Sequence, residues 1–75
     1  MTPQAGWQII AKQGSDRYLI DVGDEKARVL DARLGVLYAP WHRESIIARG
    51  YWEAYTPTDG EMERLLADVR EQARA

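Results

Sequence analysis

The most constraining stretch of this chain is its last one. From Thr56 to Ala75 the apolar residues are Met62, Leu65, Leu66, Val69 and Ala73. They recur at the spacing that lines up one stripe of a helix with 3.6 residues per turn. Thr56 is placed to cap such a helix with Pro57 at its first position, and Thr58 with Glu61 offers a second capping box two residues later. Asp59, Glu61 and Glu63 lie near the positive end of the helix dipole, and Arg70 and Arg74 near the negative end. The spacing therefore predicts a helix over 57–74 with an apolar stripe that needs a surface to cover. Burying Met62, Leu65, Leu66 and Val69 is worth roughly 1.5–3 kcal/mol each. That is comparable with the whole net stability of a small domain, about 5–10 kcal/mol.

The surface that the stripe covers has to come from the residues before it, and these read as strands. Residues 1–5 are expected to be a loose tail. Trp7 to Lys12 is dense in Ile and Trp, and Arg17 to Val22 alternates with Tyr18, Ile20 and Val22 on one side. The polar cluster Gln13-Gly14-Ser15-Asp16 between them predicts an antiparallel hairpin with a four-residue loop. Gly23-Asp24-Glu25-Lys26 is the next turn. Ala27 to Leu34 fits a third strand, or a short helix capped by Asp24 and ended by Gly35; hairpin chemistry in the preceding turn favours the strand. Val36 to Ala39 is a short run that Pro40 ends or places on a sheet edge. Trp41 to Ser45 is a connection with room for one helical turn. Ile46 to Tyr55 alternates as a long strand, with Gly50 marking a bulge or bend. Strands first and one helix last predict an α+β domain: a small antiparallel sheet of four or five strands, meander-like, with the C-terminal helix laid across one face. No repeat or linker divides the chain, so residues 1–75 form a single domain, with the sheet over 6–55.

A chain of 75 residues has a thin stability margin, and without cysteine it has no disulfide or thiolate metal site to reinforce it. One His makes a conventional zinc site improbable, and the calcium-loop spacing is absent, so no metal and no cofactor is expected. No apolar run approaches the roughly 20 residues that span a bilayer, and the N-terminal residues lack the regions of a signal peptide. The expectation is a cytoplasmic protein with no membrane partner, a monomer or a homodimer. Net charge is −2; the first 55 residues balance, and five acids against three Arg in the last stretch supply the excess. The basic excess of a general nucleic-acid binder is missing.

Chemistry concentrates between Tyr38 and Tyr55, where five of the seven aromatic residues fall with Arg43 and Arg49 interleaved. Trp, Tyr and Arg are the types enriched at interface hot spots. Alternation places Trp52 toward the core and Tyr51 and Tyr55 outward with Arg49, while Trp41 is either a plug at the sheet edge or an exposed anchor. The candidate partner-binding residues are Trp41, Arg43, Arg49, Tyr51 and Tyr55. His42 lies near Glu44 and Ser45, but in an extended segment Ser45 points away from the other two, and no nucleophile elbow is present. Asp24 with Glu25 reads as turn chemistry, and the acids of the last stretch as a solvated helix face.

These features predict a non-enzymatic module that docks on a larger protein or protein complex. Read as an intact small polypeptide, it fits an inhibitor from a phage or other mobile element, such as an anti-CRISPR protein blocking a nucleic-acid-binding complex. The alternative is a nucleic-acid-binding or antitoxin-like regulator that stacks bases on Tyr18, Tyr51 and Tyr55 with Arg17, Arg28 and Arg49 nearby.

Overall fold

The computed structural model describes residues 6–69, and its first half is a meander. Strands β1 (Gln8–Gln13), β2 (Arg17–Gly23) and β3 (Lys26–Asp31) pair antiparallel in sequence order. The expected first hairpin forms, but its loop has three residues, 14–16, and not four, because Gln13 still pairs with Arg17. The second turn is tighter. Asp24 and Glu25 both adopt left-handed backbone, with φ of 59° and 62°, as a two-residue hairpin loop requires to match the strand twist. Residues 26–31 are thus a strand, the favoured of the two readings.

The remaining strands are short. The backbone from β4 (Val36–Leu37) to β5 (Trp41–His42) runs back along the free edge of β3, pairing Leu30 with Leu37 and Ala27 with Trp41. Between these pairs the edge carries one residue more than β3 does, and Pro40, which has no N–H to donate, sits in that interruption. At the opposite edge β6 (Glu53–Ala54) pairs with β1. The sheet order is β4-β3-β2-β1-β6, with β5 also on β3.

Ile46 to Tyr55 is not the long strand that its alternation suggests. Residues Arg43–Arg49 form helix α1, with Glu44 in its first turn and Arg49 in its last, both matched to the dipole. Gly50 is extended and ends the helix. The indole N–H of Trp52 then donates to the carbonyl of Ile46 at 3.2 Å, satisfying one of the acceptors a helix end leaves open. Among the described residues the domain therefore carries two helices, not one. The second, α2, spans Glu61–Ala67. It starts four residues later than expected because Gly60 takes a left-handed φ of 77° and cannot lie within a right-handed helix. Residues 70–74 of the expected helix, and the tail at 1–5, lie outside the described residues.

Both faces of the sheet carry buried residues. On one, Tyr18, Ile20 and Leu30 pack with Ile9 and Leu37 under Leu66 of α2, joined by Met62, Leu65 and Val69 from the predicted stripe. On the other, Ala11, Leu19 and Ala27 pack with Ile10, Val29, Ile46 and Trp52. β1 serves both because its register shifts between Ile9 and Ala11. This bulge turns Ala11 to the opposite face from Ile9, although the two are an even step apart.

Two stability effects are expected in urea unfolding. Leu66→Ala removes a side chain with 0% exposure and should cost ~2–5 kcal/mol, enough to leave the domain barely folded. Glu25→Gly should stabilise by roughly 0.5–1 kcal/mol, since relief of a left-handed non-Gly residue (about 1–2 kcal/mol) exceeds the added chain entropy of Gly. A destabilised Glu25→Gly protein would show that the turn is held by the Glu side chain.

Candidate functional site

The α1 face of the sheet is only partly covered, because α1 is seven residues long and buries none of them completely. Beside it lies an open groove of about 530 Å³. Val29 and Ile46 line its apolar part, and Tyr38, Trp41 and Trp52 contribute aromatic rings. Gln13, Arg17 and Arg49 are its polar members. Trp41 is 57% exposed and Tyr38 46%, whereas Trp52 is half-buried as expected. Trp41 is therefore exposed and is not a plug at the sheet edge.

A chain of hydrogen bonds holds the polar side of the groove. Asp31 lies directly across the ladder from Arg17. Its carboxylate is buried, with Oδ1 accepting from the backbone N–H groups of Arg33 and Leu34 at 3.1 and 3.2 Å. Oδ2 accepts from Arg17 Nε at 3.4 Å. Arg17 Nη1 donates to Gln13 Oε1 at 3.5 Å, and Gln13 Nε2 donates to the carbonyl of Tyr51 at 3.0 Å. Gly50 is part of this arrangement, since a Cβ there would come within 2.8 Å of Gln13 Nε2. A buried acid thus orients Arg17, and Arg17 and Gln13 together tie the loop after α1 to the first hairpin. Burial by itself raises the Asp31 carboxyl pKa. The N–H of Leu34, the bond and charge of Arg17 and the N–H of Arg33 outweigh it and hold the carboxyl below the usual carboxylate range.

The five predicted binding residues do not converge. Trp41 and Arg49 share the groove. Arg49 has no ion pair or hydrogen bond among the described residues. Tyr51 is 75% exposed at the loop whose carbonyl Gln13 holds. Arg43 lies elsewhere: its Nη1 pairs with Asp21 Oδ1 at 3.1 Å and its N–H donates to the Glu25 carbonyl at 3.0 Å, which fastens the start of α1 to the second hairpin. Tyr55 is on the α2 face, opposite to where alternation put it. Its ring packs 6.0 Å from that of Tyr18, with Lys12 Nζ 4.6 Å above it, and its hydroxyl donates to Glu61 at 2.8 Å. Accepting from the Thr58 N–H and the Tyr55 hydroxyl lowers the Glu61 pKa, while donation to Glu61, together with burial, raises that of Tyr55. The base-stacking platform is not assembled either, because Tyr18 and Tyr55 lie beneath α2 and Arg28 reaches over Trp7 on that same face.

Gln13 and Arg17 reach the groove from the first hairpin, and nothing in the aromatic segment points to them. The one available signal was register: the first hairpin pairs Gln13 with Arg17, and the second sets Arg17 opposite Asp31. His42 caps α1 only through its backbone and makes no hydrogen bond to Glu44 or Ser45 among the described residues. No group of three His, Asp or Glu side chains able to hold a metal ion occurs among the described residues, and no described helix is long and apolar enough to cross a membrane.

A group whose pKa is lowered on folding stabilises the fold above its unfolded value and loses that contribution as pH falls through the folded one. Asp31 and Glu61 both behave so. Urea midpoints should therefore be steady above about pH 4.5, near the ordinary carboxylate values, and decline below it. Asp31→Asn should lower the plateau and flatten the decline; an unchanged slope would remove Asp31 from the account. No known protein-family model matches the chain, and comparisons with characterised proteins and with solved structures give no significant match.

Proposed function

We propose that this chain is a non-enzymatic binding module that docks on a larger protein through the groove beside α1. The observation that carries this reading is Trp41, 57% exposed, set in one groove with Tyr38 and with Arg49, which has no partner among the described residues. Large aromatic rings left in water at a concave site, next to a guanidinium, have the composition of an interface hot spot. Tyr51, exposed on the adjoining loop, extends the same surface. An inhibitor from a phage or mobile element, such as an anti-CRISPR protein acting on a nucleic-acid-binding complex, is the specific form of this reading. Its support is the aromatic, Arg-bearing groove. A cytoplasmic site of action goes with the cysteine-free composition.

The test is a pull-down of the tagged chain from a cytoplasmic extract of its own cells. A specific partner should be recovered at least fivefold less by Trp41→Ala and by Arg49→Glu, and normally by Asp59→Ala, with all three variants giving the wild-type circular dichroism spectrum. Equal recovery by every variant would rule out the groove as the docking site. Recovery of nucleic acid alone would favour the regulator reading.

A further inference from the structure

We infer that the groove, taken as a docking site on the reading above, accepts an extended segment of a partner protein that carries a carboxylate next to a bulky apolar side chain. Charge complementarity is the first argument. Among the described residues, two guanidiniums line the groove and no Asp or Glu does. Asp31, the acid bonded to Arg17, is buried at 3% side-chain exposure, and its oxygens are committed to Arg33, Leu34 and Arg17. Asp31 offsets the charge of Arg17, so it is Arg49 that leaves the groove locally cationic in a chain whose net charge is −2. Such a site attracts an anion over about one Debye length, roughly 8 Å at physiological salt, and not through the field of the whole molecule.

The second argument is preparation. Arg17 is held through Nε by Asp31 and through Nη1 by Gln13, and its Nη2 has no hydrogen-bond partner among the described residues. Its side chain is 51% exposed. A guanidinium fixed in this way loses little freedom on meeting a carboxylate, which is where much of the cost of such a contact ordinarily lies. Arg49 adds a second donor group on the same groove.

The third argument is shape and surface. The rings of Tyr38, Trp41 and Trp52 offer apolar area for a neighbouring side chain, and the Trp52 N–H is already used by Ile46. About 530 Å³ of open space admits a few side chains of a protruding segment and not the body of a folded domain. A single-stranded nucleic acid fits less well, because a backbone tract asks for a run of cationic contacts and the groove has two.

The probe is a displayed library of random dodecapeptides selected on the full chain, followed by fluorescence anisotropy of the enriched peptides and of an oligothymidylate of similar length. Enriched peptides should share Asp or Glu within about two residues of Trp, Phe or Leu. Their affinity should fall at least fivefold on Arg49→Gln in the chain, on replacing the peptide's acid by its amide, and on raising salt from 0.05 to 0.5 M. Enriched peptides without a shared acid, or affinity unmoved by Arg49→Gln, would overturn the acidic inference while leaving the docking reading intact. Selection of no peptide whose binding depends on Trp41 would overturn both. Tighter binding of the oligothymidylate than of any peptide would replace the protein segment by nucleic acid.

Discussion

Two adjacent residues in the central strand set the problem that the rest of the chain solves. Leu19 and Ile20 have no solvent exposure, and because strand side chains alternate they point to opposite faces of the sheet. A single layer of strands cannot exclude water from both, so this domain needs two covers. The cover over Ile20 is the C-terminal stripe, anchored by Leu66. The cover over Leu19 is α1 with Trp52, and it is incomplete. The groove is the part of the sheet that α1 does not reach, which is why a site with aromatic walls exists in so small a domain.

The same requirement explains two local departures from regular structure. The shift in β1 lets one six-residue strand place Ile9 under α2 and Ala11 under α1. The late start of α2 allows Glu61 to become a joint: its carboxylate accepts from the Thr58 N–H at 3.0 Å and from the Tyr55 hydroxyl, so the helix start is fastened to the strand that precedes it. Glu61 thus supplies the reach-back half of the capping box expected from Thr58 and Glu61. The Thr58 hydroxyl donates to the Glu61 carboxylate instead of accepting from the helix backbone.

How far each feature could be read from the sequence depended on whether local chemistry decided it. The two hairpins were legible because Gly14-Ser15-Asp16 and Asp24-Glu25 specify turns by themselves, and the helix stripe because its residues needed one common face. The Ile46 to Tyr55 segment was not. Its alternation fits a strand as well as anything, and what makes residues 43–49 helical is remote: the surface that Ala27 and Val29 present to Ile46, and the indole that closes the helix end. Because the segment begins as helix and breaks at Gly50, strand parity no longer applies across it, which is why Tyr55 appears on the α2 face. In the groove, Trp41 and Arg49 were recognisable by residue type. Gln13 and Arg17 became members only through hairpin register, a tertiary relation between distant stretches.

The interruption at Pro40 has a bearing on how this molecule behaves in company. A foreign strand attempting to add along the outer edge would meet a missing donor at Pro40 and a one-residue step between the two short strands. It could keep register for only two or three rungs. The opposite edge, Glu53–Ala54, offers a ladder just two residues long. Among the described residues, neither margin is a template for fibrillar growth. A chain that leaves aromatic rings in water at one site is in this way kept from self-templating at its strand edges.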